Sequence, residues 1–160
     1  MKYIPSKINR WMLLNLPAAW LSGVRLTLIN ENKCEVKVKF KWINQNPYRS
    51  MFWAVQGMAA ELTTGMLLTK SIQDSNANIS MLLVSNKSIF HKKAVGKITF
   101  TCSEGEIAKQ LINSTINDIT SKAWLKAKGH DEEGDLVSEF EFEWSCNCLL
   151  YTSPSPRDRG

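Results

Sequence analysis

Histidine is scarce in this chain: among its 160 residues there are two, His91 and His130. The four cysteines, Cys34, Cys102, Cys146 and Cys148, include no Cys-x-x-Cys pair. With so few histidines to complete a ligand set, neither a zinc site nor any other metal site is expected. A histidine paired with an acid, as hydration or dehydration chemistry requires, is also missing from any catalytic context. Long apolar runs are lacking as well. The most apolar stretch near the N-terminus, Trp11 to Leu21, is broken by Asn15 and Pro17 and falls short of the ~20 residues a membrane-spanning helix needs. No membrane span is expected. Lys2, Lys7 and Arg10 precede that stretch, but no small-x-small cleavage site follows it, so a structural helix is favoured over a signal peptide.

Clustered charge is absent too. The formal net charge is +5, yet the lysines alternate with glutamates along candidate strands, which argues against a nucleic-acid partner and leaves room for an anionic small molecule. At 44% apolar and 22% charged residues the composition is that of a folded globular chain, and residues 1–148 are expected to form one domain. Cys34 and Cys102 fall at inward positions of candidate strands, where free thiols behave as small apolar groups. That use of cysteine suits a reducing, cytoplasmic location. Residues 149–160, with two prolines and no periodicity, are expected to be a disordered tail of non-native origin.

What is present is a clear order of elements. Ser6 to Leu21 has helical periodicity, with Pro17 able to open a second short turn and Gly23 as the stop. Two strands come next, Val24 to Ile29 and Cys34 to Trp42. In the second, Cys34, Val36, Val38, Phe40 and Trp42 alternate with Glu35, Lys37, Lys39 and Lys41, the period of two of a strand with one wet face. After Asn44-Gln45-Asn46-Pro47, a segment rich in Met, Ala, Gly, Leu and Thr runs to about Ser71. So little of its circumference is polar that the spacing predicts a long helix buried on most sides, with the sheet wrapped around it. Further strands are expected at Ile79–Val84, Ser88–Phe90 and Ala94–Cys102. The Ser103-x-x-Glu106 spacing of a capping box should open a peripheral helix, and a closing hairpin should form from Ser121–Lys128 and Leu136–Trp144. Pairing Leu125 with Phe140 places Lys126 opposite Glu139 and Lys122 opposite Glu143, so the apolar and charged faces agree on one register.

Glu61 is the residue that stands out. A carboxylate within an apolar, small-residue helix costs several kcal/mol to bury in charged form, so it needs a partner, a raised pKa or a cavity. Arg49 or a strand lysine would serve as a structural partner. A cavity would instead suit a general base or nucleophile, with the N–H groups of the helix start stabilising an oxyanion and Asn46 orienting water or carbonyl. Thr63 and Thr64 lie within a turn of Glu61, and Met51, Phe52 and Trp53 are candidates to line an apolar pocket.

The stretch Asn46-Pro47-Tyr48-Arg49-Ser50-Met51-Phe52-Trp53-Ala54-Val55-Gln56-Gly57-Met58-Ala59-Ala60-Glu61 resembles the central-helix motif of hotdog-fold acyl-CoA thioesterases of the phenylacetate-degradation type. The likeness is greatest to their bacterial relatives with an added N-terminal helical segment. It implies an α+β hotdog fold, an antiparallel sheet around one long helix. It also implies hydrolysis of an acyl-CoA thioester, with coenzyme A as part of the substrate and no resident cofactor. By the resemblance Glu61 and Asn46 contribute to catalysis across the interface of a homodimer or homotetramer. The backbone N–H of Trp53 polarises the carbonyl, and Met51, Phe52, Ala54 and Thr64 fall around the substrate. The chain departs from the motif at one point: the usual His-Gly-Gly is replaced by Phe52-Trp53-Ala54. That replacement supports an alternative expectation, a non-catalytic acyl-CoA or lipid binder using the same cavity.

Overall fold

The computed structural model describes residues 3–149. Residues 150–160, most of the expected tail, lie outside them. Two short helices open the chain, α1 (Pro5–Asn15) and α2 (Pro17–Leu21), and they separate at Leu16 because Pro17 supplies no N–H to continue α1. Strands β1 (Arg25–Ile29) and β2 (Cys34–Lys39) form a hairpin, after which the chain reaches the 23-residue helix α3 (Trp53–Ser75). Then come β3 (Ile79–Phe90), β4 (Lys97–Cys102), helix α4 (Gly105–Asp118), β5 (Thr120–His130) and β6 (Leu136–Cys148). All strand pairs are antiparallel, in the order β1-β2-β4-β5-β6-β3.

Helix α3 lies in the curl of this six-stranded sheet, packed on β2, β4 and β5, with α4 beside it against β5. Val55, Ala59, Ala60, Leu62, Leu67 and Leu68 are buried along it, as its composition predicts. This is the hotdog architecture. The small residues allow the close approach expected of them: a Cβ on Gly65 would sit 3.5 Å from the Trp144 ring. Gly129 is tighter. A Cβ there would lie 2.6 Å from the Phe100 ring that packs across from it on β4, so only glycine fits without displacing the centre of the core. Cys34 and Cys102 face inward directly opposite each other, both buried and free. Burial pushes both thiols up, Cys102 to about 12, which leaves them inert packing groups.

The structure corrects several expectations. Strand β2 stops at Lys39, and Trp42 sits in a 3-10 turn with 81% of its surface exposed. The turn is held by Asn44, whose amide accepts from Lys41 N and donates to Ser22 O and Lys39 O. The central helix begins at Trp53, several residues later than composition implies. Ile79–Val84 and Ser88–Phe90 are one continuous strand with a bulge between Leu83 and Ser85. The Ser103 capping box does not form: the N-cap is Glu104, whose carboxylate accepts from Lys126 N, and Glu106 pairs with Lys109 instead. The β5–β6 register is offset by two residues, pairing Leu125 with Phe142, Lys126 with Glu141 and Lys128 with Glu139. A two-residue slip leaves every side chain on its own face, so the apolar and charged patterns alone do not distinguish the two registers.

Candidate functional site

The start of α3 is built from a loop that folds on itself. Asn46 Oδ1 accepts from the N–H groups of Tyr48 and Ser50, and its amide donates to Ser50 Oγ at 2.9 Å. Such a side chain closes a turn by imitating backbone, and the turn is sharp enough to place Arg49 at φ 58. The loop returns to the body through Met51 N to Ala94 O and Phe52 N to Asn44 O, both 2.8 Å. Phe52 is then extended and Trp53 opens the helix with no side-chain cap, so the first N–H groups of α3 remain available at its positive end.

Trp53, at that end, borders a cleft of about 460 Å3. One wall carries Asn46, Met51, Phe52, Trp53 and Gln56, and the other carries Phe90, His91, Lys92 and Lys93. Met51 is buried, while Phe52 and Trp53 are exposed and meet edge to face at 6.0 Å. Gln56, which sequence reasoning does not single out, is buried and donates to Met51 O while accepting from Ser138 Oγ. A signal for it exists: a polar residue in an apolar helix must find partners. His91 is a second cleft residue without a role in the sequence reading, and it pairs with Glu139 at 3.0 Å, while Lys92 is held by Asp131 and Asp135.

Glu61 lies elsewhere. Eight residues beyond Trp53, it is roughly 12 Å along the helix axis and lines a second cavity, of about 260 Å3, with Met58, Leu62 and the turn Asn15–Ala19 between α1 and α2. Among the described residues neither Arg49 nor any lysine forms an ion pair with it, and no hydrogen bond holds its carboxylate. Burial in these apolar surroundings raises its pKa above the usual carboxylate range. Thr64 is fully buried outside both cavities, its hydroxyl donating to Glu61 O and accepting from Trp144 Nε1 at 3.1 Å. Thr63 likewise bonds back to Ala60 O. Ala54 is partly buried and lines neither cavity. Within the chain, then, Asn46 and Trp53 share a site from which Glu61 is separate.

Solved structures share this fold at low identity. A Pseudomonas aeruginosa protein of unknown function, described as "Probable Thioesterase", is 21% identical, with 91% of this chain and 97% of that one aligned and a TM-score of 0.78. A protein of unknown function from Chlorobaculum tepidum is 12% identical over 91% and 94% of the two chains, again at 0.78. A thioesterase from Haemophilus influenzae is 11% identical over 96% of each, at 0.70. No curated protein matches the chain. The family model described as "Domain of unknown function (DUF4442)" matches residues 7–146, so this hotdog-fold chain belongs to that family.

Proposed function

We propose that the protein hydrolyses an acyl thioester, with coenzyme A as the thiol, and that Glu61 is its base or nucleophile. The observation that carries this reading is the Glu61 carboxylate itself, set in an apolar cavity with no neutralising partner among the described residues. A purely structural glutamate is stabilised by a partner, whereas a base gains from a raised pKa near the operating pH. The free N–H at Trp53 suits the carbonyl oxygen, which gains negative charge as the carbon becomes tetrahedral. Asn46 keeps a second amide hydrogen for substrate or water, and its first role is to hold the loop that sets Trp53. With Glu61 as base, the carboxylate takes a proton from the attacking water as its oxygen bonds the carbonyl carbon, and collapse of the tetrahedral species breaks the C–S bond and hands that proton to the departing thiolate; with Glu61 as nucleophile, its oxygen forms the new bond, the thiolate leaves with a proton from water, and the hydroxide left behind hydrolyses the mixed anhydride.

Because Asn46 and Trp53 lie apart from their own Glu61, the reading needs a second subunit that brings its Glu61 to this cleft. Strand β3 is a 12-residue sheet edge with Leu82, Val84, Ile89 and Phe90 exposed, a template for pairing with another copy. The protein is therefore proposed to be a homodimer, or a tetramer built from such dimers. The two-part test is light-scattering mass in solution and thiol release from acyl-CoA thioesters by wild type and Glu61→Gln. A dimer whose turnover disappears in the variant, with ligand still bound, supports the reading. Full turnover in the variant removes Glu61 from the mechanism. Binding without turnover in the wild type favours the acyl-binding protein, the reading that the exposed Trp53 side chain at the cleft supports.

A further inference from the structure

We infer that the cavity beside Glu61 is the acyl pocket and that the chain's own N-terminal turn sets its length, admitting short to medium acyl groups; the inference rests on the thioester reading above. Apart from Glu61 and Asn15 the lining is apolar: Leu16, Pro17, Ala18, Ala19, Met58 and Leu62. Asn15 directs its amide back to Trp11 O, which leaves Glu61 to mark the reactive end. Among the described residues no cation lines the cavity. An acyl group ending in a carboxylate or phosphate would meet an apolar wall and a like charge, so the pocket selects hydrocarbon. The cavity is small, about 260 Å3, so a long acyl chain meets the turn between α1 and α2.

The wall is fixed. Ala19 within it is buried, as are Ile8 and Met12 of α1. Asn9 clamps Leu26 through both backbone groups, at 2.8 and 2.9 Å. Arg25 donates to Trp20 O and Val24 O while its guanidinium covers the Trp20 ring at 4.3 Å. A wall anchored at that many points excludes by size, where a loose one would yield to a longer chain.

The test is a chain-length series, acetyl to palmitoyl, read both as kcat/KM on the coenzyme A thioesters and as affinity for the matching non-hydrolysable thioethers. The proteins are wild type, Ala18→Phe, which fills the cavity from an exposed position, and Leu16→Ala, which enlarges it, each checked for an unchanged melting profile. Wild type is expected to peak well below palmitoyl. Ala18→Phe should lower the octanoyl-to-acetyl ratio about tenfold or more, and Leu16→Ala should move the peak to longer chains. Length profiles that coincide in all three proteins, in turnover or in affinity, overturn the pocket assignment. The thioester reading fails separately, if Glu61→Gln turns over normally.

Discussion

The two cavities along α3 differ in kind. At the helix start nearly every polar group is satisfied: Asn44, Asn46 and Gln56 are committed to backbone and to Ser50 and Ser138, and the cleft is open and rimmed by exposed aromatic rings. At Glu61 the surroundings are apolar and bordered by the N-terminal turn, and the carboxylate has no partner among the described residues. The first region spends its polar groups on holding a backbone N–H in place. The second leaves a carboxylate unsatisfied, the kind of local cost that a fold retains at a site of chemistry.

The largest expected effect is on this carboxylate. Replacing Glu61 with Gln should lower thioester turnover by about 10²–10⁴, measured as thiol release, with affinity for a thioether analogue preserved. Next comes the N–H at the other cavity. Proline is tolerated at the first helical position and the extended Phe52 (ψ 134) accommodates a following proline, so Trp53→Pro should fold yet lose about 10²–10³ in kcat. Trp53→Ala, which keeps the N–H, should not show that loss. Equal activity of the two variants would show that the backbone group is not used.

Effects on stability are smaller. Gly129→Ala forces the Phe100 ring aside and should cost about 1–3 kcal/mol, seen in a denaturant melt. Thr64→Val strands the buried Trp144 N–H and should cost about 1–3 kcal/mol without changing the chain-length profile, which separates packing from pocket. The smallest effect is on pH dependence. Burial raises the Glu61 pKa, so between the ordinary and the raised value the folded chain holds a proton that the unfolded chain has released. Stability is full below that window and declines as pH rises through it. Glu61→Gln should remove the decline, gaining a few degrees in Tm over wild type at about pH 8 and less at about pH 4. An equal gain at both would place the carboxylate in water.

Much of the fold is legible in the sequence because its signals are local. The alternation of Cys34 to Val38, the all-round apolar composition of the Ala54–Leu68 stretch and the break at Pro17 each predict an element without reference to distant residues. The late helix start shows where local signals stop. Tyr48 to Phe52 carry helix-compatible side chains, but Asn46 captures the N–H groups of Tyr48 and Ser50, while Ala94 and Asn44 anchor those of Met51 and Phe52. Trp42 likewise continues an alternating pattern that the chain leaves at Lys39.

The sequence by itself determined which residues are apolar on which face, that one helix is enclosed by the sheet, and that Glu61 is out of place in it, because periodicity and burial cost are properties of neighbouring residues. Only the tertiary structure decided the β5–β6 register, since a slip of two preserves both faces, and the separation of Asn46 and Trp53 from Glu61. It also decided that the turn at Leu16 and Pro17 shares a cavity with that carboxylate. That proximity joins residues more than forty positions apart, and no local pattern encodes which surface a capping helix will cover.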